Sequence, residues 1–200
     1  MSSEPSFAQK IYSLFLRARI PASILMALAI IVFAKPTLSS WLIGFSVVVI
    51  GEALRIWASG HIHKSAQVTC TGPYAMVRHP LYLGHFLIAS GFCIAGDSLI
   101  AFIIVSISFF IIYIPTWKNE EKNLTELFGD TYTDFMANTP ALLPRWNRGV
   151  FSGSFSWGLV SQHREWNHVA GLLTGMVAMF GLTFWGNSIA LFLLSWWQGS

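Results

Sequence analysis

Long apolar runs constrain the fold of this 200-residue chain more than any other feature of its sequence. Hydrophobic residues make up 54% of the chain and charged residues only 10%, whereas soluble domains carry about 25% charged residues. Because so few charges cannot cover a surface that faces water, we expect an integral membrane protein. The apolar runs predict an all-α fold, a polytopic membrane helical bundle with about five transmembrane helices, at residues 20–34, 38–58, 80–96, 98–117 and 168–194.

The length of 200 residues suits one compact bundle, so we predict a single membrane domain over residues 1–200. The third and fourth runs are joined by little more than Gly96-Asp97-Ser98, which predicts a tight antiparallel hairpin. Beyond the fourth run, apolar residues continue at helical spacing as far as Phe128. They predict an amphipathic cytosolic helix after the fourth span, ending near Gly129.

The basic residues are distributed unevenly over the two sides of such a bundle. With the N-terminus inside, only Lys35 falls on the outer side and Arg55 lies within the second span. The remaining basic residues that flank the spans fall on the cytoplasmic side: Lys10, Arg17, Arg19, Lys64, Arg78, Lys118, Lys122, Arg145, Arg148 and Arg164. This bias predicts a cytoplasmic N-terminus, with the C-terminus on the opposite side. The basic residues form no stripe or tract, so we expect no nucleic-acid partner.

The stretch from Gly72 to Gly84, Gly-Pro-Tyr-Ala-Met-Val-Arg-His-Pro-Leu-Tyr-Leu-Gly, lies at the cytosolic mouth of the third span. It brings aromatic rings, an imidazole and a guanidinium to the level where water meets lipid. Polar groups there must be solvated, paired or bound to a ligand, because the hydrocarbon core offers no partners. Taken alone, an ordinary juxtamembrane turn with interfacial tyrosines explains this stretch equally well.

A second polar group, Glu120 and Glu121, lies where the fourth span leaves the membrane. For an isolated helix, the simpler interpretation is a solvated acidic face paired with Lys118 and Lys122. If the third and fourth spans form a hairpin, however, the two motifs become neighbours at one membrane surface. We therefore predict a single cytosol-facing cleft bordered by Tyr74, Arg78, His79, Tyr82, Glu120 and Glu121.

Other polar residues of the spans leave alternatives open. Glu52 and Arg55 are spaced i, i+3 in the second span, so they either border a substrate cavity or simply lock two helices together. For the histidines, including His61, His63 and His85, we expect solvated or interfacial positions, and we expect no metal site. In the fifth span, a Gly171-x-x-x-Gly175 pattern favours helix packing within the bundle, and a homodimer through this span is the alternative.

The two motifs in this order, Gly72-Pro-Tyr-x-x-x-Arg-His-Pro-x-Tyr-x-Gly84 and Glu120-Glu121-x-x-Leu124-x-x-x-Phe128-Gly129-x-x-Tyr132, resemble those of the isoprenylcysteine carboxyl methyltransferase family. The phospholipid N-methyltransferases are similar relatives. Upstream, the stretch from Gly51 to Trp57 also resembles the family's span before the first motif. The resemblance covers about residues 40–144, the expected catalytic core, and leaves a C-terminal extension with the fifth span at 145–200.

This resemblance implies a membrane enzyme that takes S-adenosyl-L-methionine from the cytosol and methylates a lipophilic substrate in the bilayer, either a phospholipid amine or a prenylcysteine-like group. The residues that it implies for cofactor binding are Gln67, Val68, Thr69, Tyr74, His79, Pro80, Leu81, Tyr82 and Glu120, the first three on a strand-like approach. For the substrate we expect Glu52, Arg55 and Glu121, the last as a candidate base, while the catalytic residue itself stays unassigned.

One departure from the family pattern affects the choice of substrate. In the carboxyl methyltransferases an arginine associated with the substrate lies four residues before the first of these glutamates, and here that position is Thr116. Without it, a carboxylate substrate needs another cation, such as Arg55 or Arg145. Two other classes remain: a sterol-type membrane reductase that uses NADPH, which resembles the first motif, and a membrane assembly factor without catalysis.

Overall fold

The structure is a computed structural model that describes residues 21, 23–62 and 67–198, with side chains described as far as residue 185. Lys10, Arg17, Arg19, His63 and Lys64 therefore lie outside the described residues. The described residues contain α-helices, short 3-10 turns and irregular loops, with no strand among them. The helices are α1 (Ser23–Phe33), α2 (Leu38–Ser59), α3 (Pro80–Ala95), α4 (Leu99–Phe128), α5 (Asp130–Asn138), α6 (Trp157–Gln162) and α7 (Glu165–Gln198).

The lengths of these helices confirm an all-α membrane bundle. Among the described residues, three helices are long and apolar enough to cross a membrane by themselves: α2, α4 and the Glu165–Trp185 part of α7. The helices α1 and α3 are also apolar but shorter. With 16 residues, α3 is about 24 Å long, which is less than the roughly 30 Å of a typical hydrocarbon core.

The predicted hairpin and the predicted helix end are both present. Only Gly96, Asp97 and Ser98 separate α3 from α4, and the Ser98 side chain caps α4 by accepting a hydrogen bond from the backbone N–H of Ala101 at 3.2 Å. The fourth helix runs without a break from the span into the polar region and ends at Gly129, whose φ of 56° disfavours other residues. This continuity brings Glu120 and Glu121 back toward the beginning of α3.

The closest helix contact in the bundle joins α2 and α3 through pairs of glycines. An added Cβ at Gly91 would lie 2.8 Å from the Gly44 carbonyl oxygen, and an added Cβ at Gly84 would lie 2.9 Å from the Gly51 carbonyl oxygen. The two glycines of α2 are seven residues apart, and so are the two glycines of α3, as expected for two antiparallel helices in constant register. Small residues allow the backbones to approach this closely, which is a common basis of helix association in membranes.

The C-terminal helix α7 packs beside α2. The indole N–H of Trp41 donates a hydrogen bond to the carbonyl oxygen of Met176 at 3.1 Å. Of the two glycines singled out in α7, Gly175 faces the Phe92 ring, whereas an added Cβ at Gly171 would meet nothing within 4 Å. Gly175 therefore has the expected packing role, and the homodimer through this span stays a prediction.

Replacing Gly91 with alanine should destabilise the bundle. The added methyl group would lie 2.7 Å from Val48 and under 3 Å from the α2 backbone, so the helices must move apart. Overpacking of this kind costs about 1–3 kcal/mol. A thermal unfolding scan in detergent should show a lower melting temperature for Gly91→Ala. Gly171→Ala adds the same group in open space, and an equal loss in that variant would contradict the close-contact explanation.

Candidate functional site

The two sequence motifs meet at a cavity of about 540 Å³ at one end of the bundle. Its walls come from the loop after α2, the beginning of α3, the polar half of α4, the start of α5 and the beginning of α7. The lining residues are Arg55, Ile62, Gln67, Val68, Thr69, Tyr74, Arg78, His79, Pro80, Leu81, Tyr82, His85, Glu120, Asn123, Leu124, Tyr132, Phe135 and Glu165.

The loop before α3 presents two buried hydroxyl groups to the cavity. The segment at 67–71 is irregular, so the expected strand-like approach is wrong, and it leads into the 3-10 turn Gly72–Ala75. Gly72 has a φ of 58° and packs directly against the His61 ring, which leaves no space for a side chain. The hydroxyls of Thr69 and Tyr74 have no hydrogen-bond partner among the described residues. Burial, followed by the charges of Glu120 and Glu165, raises the pKa of Tyr74, so its hydroxyl remains a donor.

His79 occupies the N-cap position of α3 and connects the two motifs. Its ring stacks on Trp117 of α4, with ring centroids 5.8 Å apart and an angle of 18° between the planes. Its Nε2–H donates a hydrogen bond to Oε1 of Glu121 at 2.9 Å. Burial lowers the pKa of His79, and the hydrogen bond with Glu121 only partly offsets that shift. The imidazole is therefore neutral at pH 7, and its orientation is fixed by α4.

The two glutamates of α4 differ in their surroundings. Glu120 is exposed and accepts a hydrogen bond from the Tyr82 hydroxyl at 3.0 Å. Glu121 lies behind the cavity wall, where its Oε1 is 3.1 Å from Nε of Arg78 in addition to the contact with His79. Arg78 also donates a hydrogen bond from Nη1 to the carbonyl oxygen of Met136 at 2.9 Å. Glu121 therefore anchors the end of α3, while Glu120 is available to a ligand in the cavity.

Arg55 reaches the opposite wall of the cavity from within α2. Its Nη2 lies 2.7 Å from Oε2 of Glu165, and its Nη1 contacts the imidazole of His85 at 2.8 Å. Its Nε lies 3.4 Å from Oε2 of Glu52, which confirms that the i, i+3 pair forms. The nitrogens Nη1 and Nη2 are thus engaged by residues of this chain, whereas Nε has no hydrogen-bond partner among the described residues.

Glu52 lies on the far side of this ion pair and does not line the cavity. It borders a separate groove of about 260 Å³ between α2 and α7, whose other lining residues are aliphatic or aromatic. His168 donates a hydrogen bond from Nδ1 to Oε2 of Glu52 at 3.0 Å. The pair of Glu52 and Arg55 therefore forms part of the wall between a polar cavity and an apolar groove.

The structure places the predicted site residues in two groups. All nine residues expected to bind a cofactor line the cavity: Gln67, Val68, Thr69, Tyr74, His79, Pro80, Leu81, Tyr82 and Glu120. Of the three expected to bind substrate, Arg55 lines the cavity, whereas Glu52 and Glu121 lie behind its walls. Thr116 is buried and donates its hydroxyl to the Ile112 carbonyl oxygen at 2.8 Å, and Arg145 is not among the lining residues. Of the two arginines considered as replacements for the missing arginine, Arg55 and Arg145, only Arg55 lines the cavity.

The burial of two histidines and the presence of an α7 residue in the cavity were not predicted from the sequence. A solvated or interfacial position is wrong for His61, which is buried because its ring packs against Gly72 and Phe155. His85 is half-buried against Arg55 rather than solvated. Glu165, a single acid in the first turn of the last apolar run, was the available signal for a further cavity residue.

The segment between the cavity and α7 does not cover the cavity. It contains the 3-10 turn Arg148–Phe151 and α6, and its described residues from 143 to 164 are absent from the cavity lining. The segment is instead bound to the outer side of the loop: the N–H of Gly72 donates to the Ser152 carbonyl oxygen at 3.2 Å, and the N–H of Ser156 donates to the Gly60 carbonyl oxygen at 2.9 Å. It therefore supports the loop from behind.

Comparison with known proteins gives partial matches to membrane methyltransferases and to metal-resistance proteins. The nickel-cobalt-cadmium resistance protein of Alcaligenes xylosoxydans xylosoxydans is 30% identical over 106 residues, 52% of this chain and 48% of that protein. The protein-S-isoprenylcysteine O-methyltransferase of Schizosaccharomyces pombe is 25% identical over 107 residues, 54% of this chain and 45% of that protein. The methanethiol S-methyltransferase of Pseudomonas deceptionensis is 33% identical over 75 residues, 38% of this chain and 28% of that protein.

The chain spans about half the length of the first two curated relatives that it matches. No solved structure was found to match it. The family model for phospholipid methyltransferases matches residues 23–131, which include α2, α3, α4, the first sequence motif and the second as far as residue 131. Because this match covers more than half of the chain, the protein belongs to the phospholipid methyltransferase family.

Proposed function

We propose that the protein is a methyltransferase that binds S-adenosyl-L-methionine from the cytosol in the cavity and methylates a lipophilic substrate held in the membrane. The substrate class is a phospholipid amine or a prenylcysteine-like group. The observation that carries the proposal is that all nine residues implied for cofactor binding, from two distant motifs and the segment just before the first of them, line one cavity. Membership of the phospholipid methyltransferase family supports the reaction type.

The cavity residues fit this cofactor. The hydroxyls of Thr69 and Tyr74 are buried without partners among the described residues, so a ligand with polar groups would satisfy them. Glu120 offers a carboxylate to the cationic part of the cofactor. The first turn of α3 borders the cavity at Pro80, Leu81 and Tyr82, and the N-terminal end of a helix favours a carboxylate. When bound, the cofactor supplies an electrophilic methyl group on a sulfonium.

The contribution of the protein to this reaction is to orient the cofactor and the substrate. A displacement at carbon requires nucleophile, methyl group and leaving sulfur in line, so the main contribution of the protein is orientation. The carboxylate of Glu120 favours a positively charged cofactor over its neutral-sulfur product. Glu121 is already committed to Arg78 and His79, so we assign it a positioning role instead of the role of a base. Glu121 fixes the orientation of the His79 imidazole and thereby the position of the N-terminal end of α3.

The alternatives explain less of the site. A sterol-type reductase has an Arg-Asp-Glu arrangement after the hairpin, whereas this chain has Lys118-Asn119-Glu120-Glu121. A membrane assembly factor without catalysis would not require a cavity with buried hydroxyls of Thr69 and Tyr74 that lack partners among the described residues. Neither alternative accounts for the family match.

Titration of the purified full-length protein with nucleotides tests the proposal. Calorimetry in detergent should show binding of S-adenosylhomocysteine and no binding of NADPH. The opposite preference would establish the reductase, and binding of neither compound would favour the assembly factor. Incubation of a lipid extract with methyl-labelled cofactor, followed by mass analysis, should then identify a labelled lipid.

Replacing Glu120 with glutamine should weaken the binding of S-adenosyl-L-methionine by about tenfold or more, because a hydrogen bond to a charged group contributes about 1.5–3 kcal/mol. Glu126→Gln is the matched control on the same helix, since Glu126 is largely exposed and only 3.9 Å from Lys122. Calorimetry on both variants measures the difference. Equal affinities for the two variants would exclude Glu120 from the cofactor site.

The protonation of His79 should make stability depend on pH. Below about pH 6.5 the unfolded chain binds a proton at this residue. The folded chain does so only at lower pH, because burial lowers the pKa of His79. Stability due to this residue is therefore complete above pH 6.5 and is lost as the pH falls through the folded pKa. Thermal scans at pH 7.5 and 5.5 should show a larger loss for the wild-type protein than for His79→Gln. Identical losses would contradict a neutral, buried imidazole.

A further inference from the structure

Three potential metal ligands converge between α2 and α7, behind the wall of the cavity. Glu52, Glu165 and His168 each offer one ligand atom, and these atoms lie within 4.8 Å of one another. The two glutamates are buried, with 8% and 5% of their surface exposed, and the His168 side chain is 29% exposed. Surface acidic clusters are common, but a cluster of buried carboxylates with an imidazole requires an explanation.

The two buried carboxylates of this cluster share one guanidinium. Glu52 and Glu165 both pair with Arg55, at 3.4 and 2.7 Å. Because a buried carboxylate is costly unless it is fully paired, a further cation between the two carboxylates would stabilise the cluster.

One oxygen of the cluster is unused. Oε2 of Glu52 contacts Arg55 and His168, at 3.4 and 3.0 Å. Oε1 of the same carboxylate is buried and has no hydrogen-bond partner among the described residues. Buried carboxylate oxygens normally have a hydrogen-bond partner, so Oε1 of Glu52 is an acceptor that could bind a donor or a cation.

We infer that Glu52, Glu165 and His168 bind a divalent transition-metal ion. Two carboxylates and one imidazole form a nitrogen and oxygen donor set that suits Zn²⁺ and similar ions. Three protein ligands leave a coordination position open, and one of the three, Glu165, also lines the cavity. Arg55 and His85 lie behind the ligands, where groups of this kind orient carboxylates.

The site is not a property that follows from the family match. The matched region ends at residue 131, whereas Glu165 and His168 belong to α7. Glu52 and His168 are 116 positions apart in the sequence, which is why no ligand spacing is visible there. The inference replaces our expectation that the chain has no metal site, and it does not depend on the methyltransferase proposal.

The test is a titration of the full-length, tag-free protein with Zn²⁺ after treatment with a chelator. Calorimetry should show one Zn²⁺ per chain, and Co²⁺ should give the visible absorption of a low-symmetry site. His168→Ala and Glu52→Gln should each weaken Zn²⁺ binding at least about tenfold, the smallest effect seen even for groups behind the ligands. His163→Ala and Glu126→Gln are the controls, because both residues lie outside the cluster, and their affinities should match the wild type.

Each outcome of the Zn²⁺ titration either supports or contradicts the metal site. Absence of Zn²⁺ binding, or equal affinity in the wild type and both cluster variants, would overturn the inference. If Glu52→Gln fails to fold, as judged by circular dichroism, His168→Ala decides the question, because this side chain is partly exposed. Titration of the same samples with S-adenosylhomocysteine distinguishes the two proposals: binding of that compound without Zn²⁺ binding removes only the metal site.

Discussion

The contacts of one side chain, Glu121, hold the candidate site together. Its Oε1 binds both His79 and Arg78, so it connects the polar half of α4 to the residues that begin α3. These partners lie 42 and 43 positions earlier in the chain, and the hairpin at Gly96-Asp97-Ser98 is what makes the contact possible. A hydrogen bond at 3.0 Å from the Tyr82 hydroxyl to Glu120 joins the same two helices. The burial of neutral His79 against Trp117 depends on its contact with Glu121.

Local signals in the sequence predict the parts of this arrangement that depend on local chemistry. Gly129 ends α4 because its backbone is left-handed, and the hairpin follows from a connection too short for anything else. The common location of His79 and Glu120 then follows from connectivity alone. The register of α2 against α3 could not be predicted in this way. Gly44 and Gly51 pack against Gly91 and Gly84, and the local sequence around a glycine does not indicate which distant residue it contacts.

The same limit explains the residues that sequence reasoning missed. His61 is a polar residue in a loop, and its burial depends on Gly72 and on Phe155, which lies far along the chain. Glu165 appears in the sequence as an isolated acid before an apolar helix, and its partner Arg55 is 110 positions away. Six of the nine candidate cofactor residues lie within the two motifs, and Gln67, Val68 and Thr69 lie just before the first motif. The wall formed by α7 lies outside any such motif, so its contribution appears only when the helices are packed together.

The account depends on a single spatial claim, that the cofactor lies between the beginning of α3 and the polar half of α4. A solved structure of the full-length protein with S-adenosylhomocysteine bound tests this claim most directly. We expect density for the nucleotide in the cavity, with polar groups within hydrogen-bond distance of Tyr74 and Glu120. Density at any other position, with this cavity filled only by water, would contradict the account.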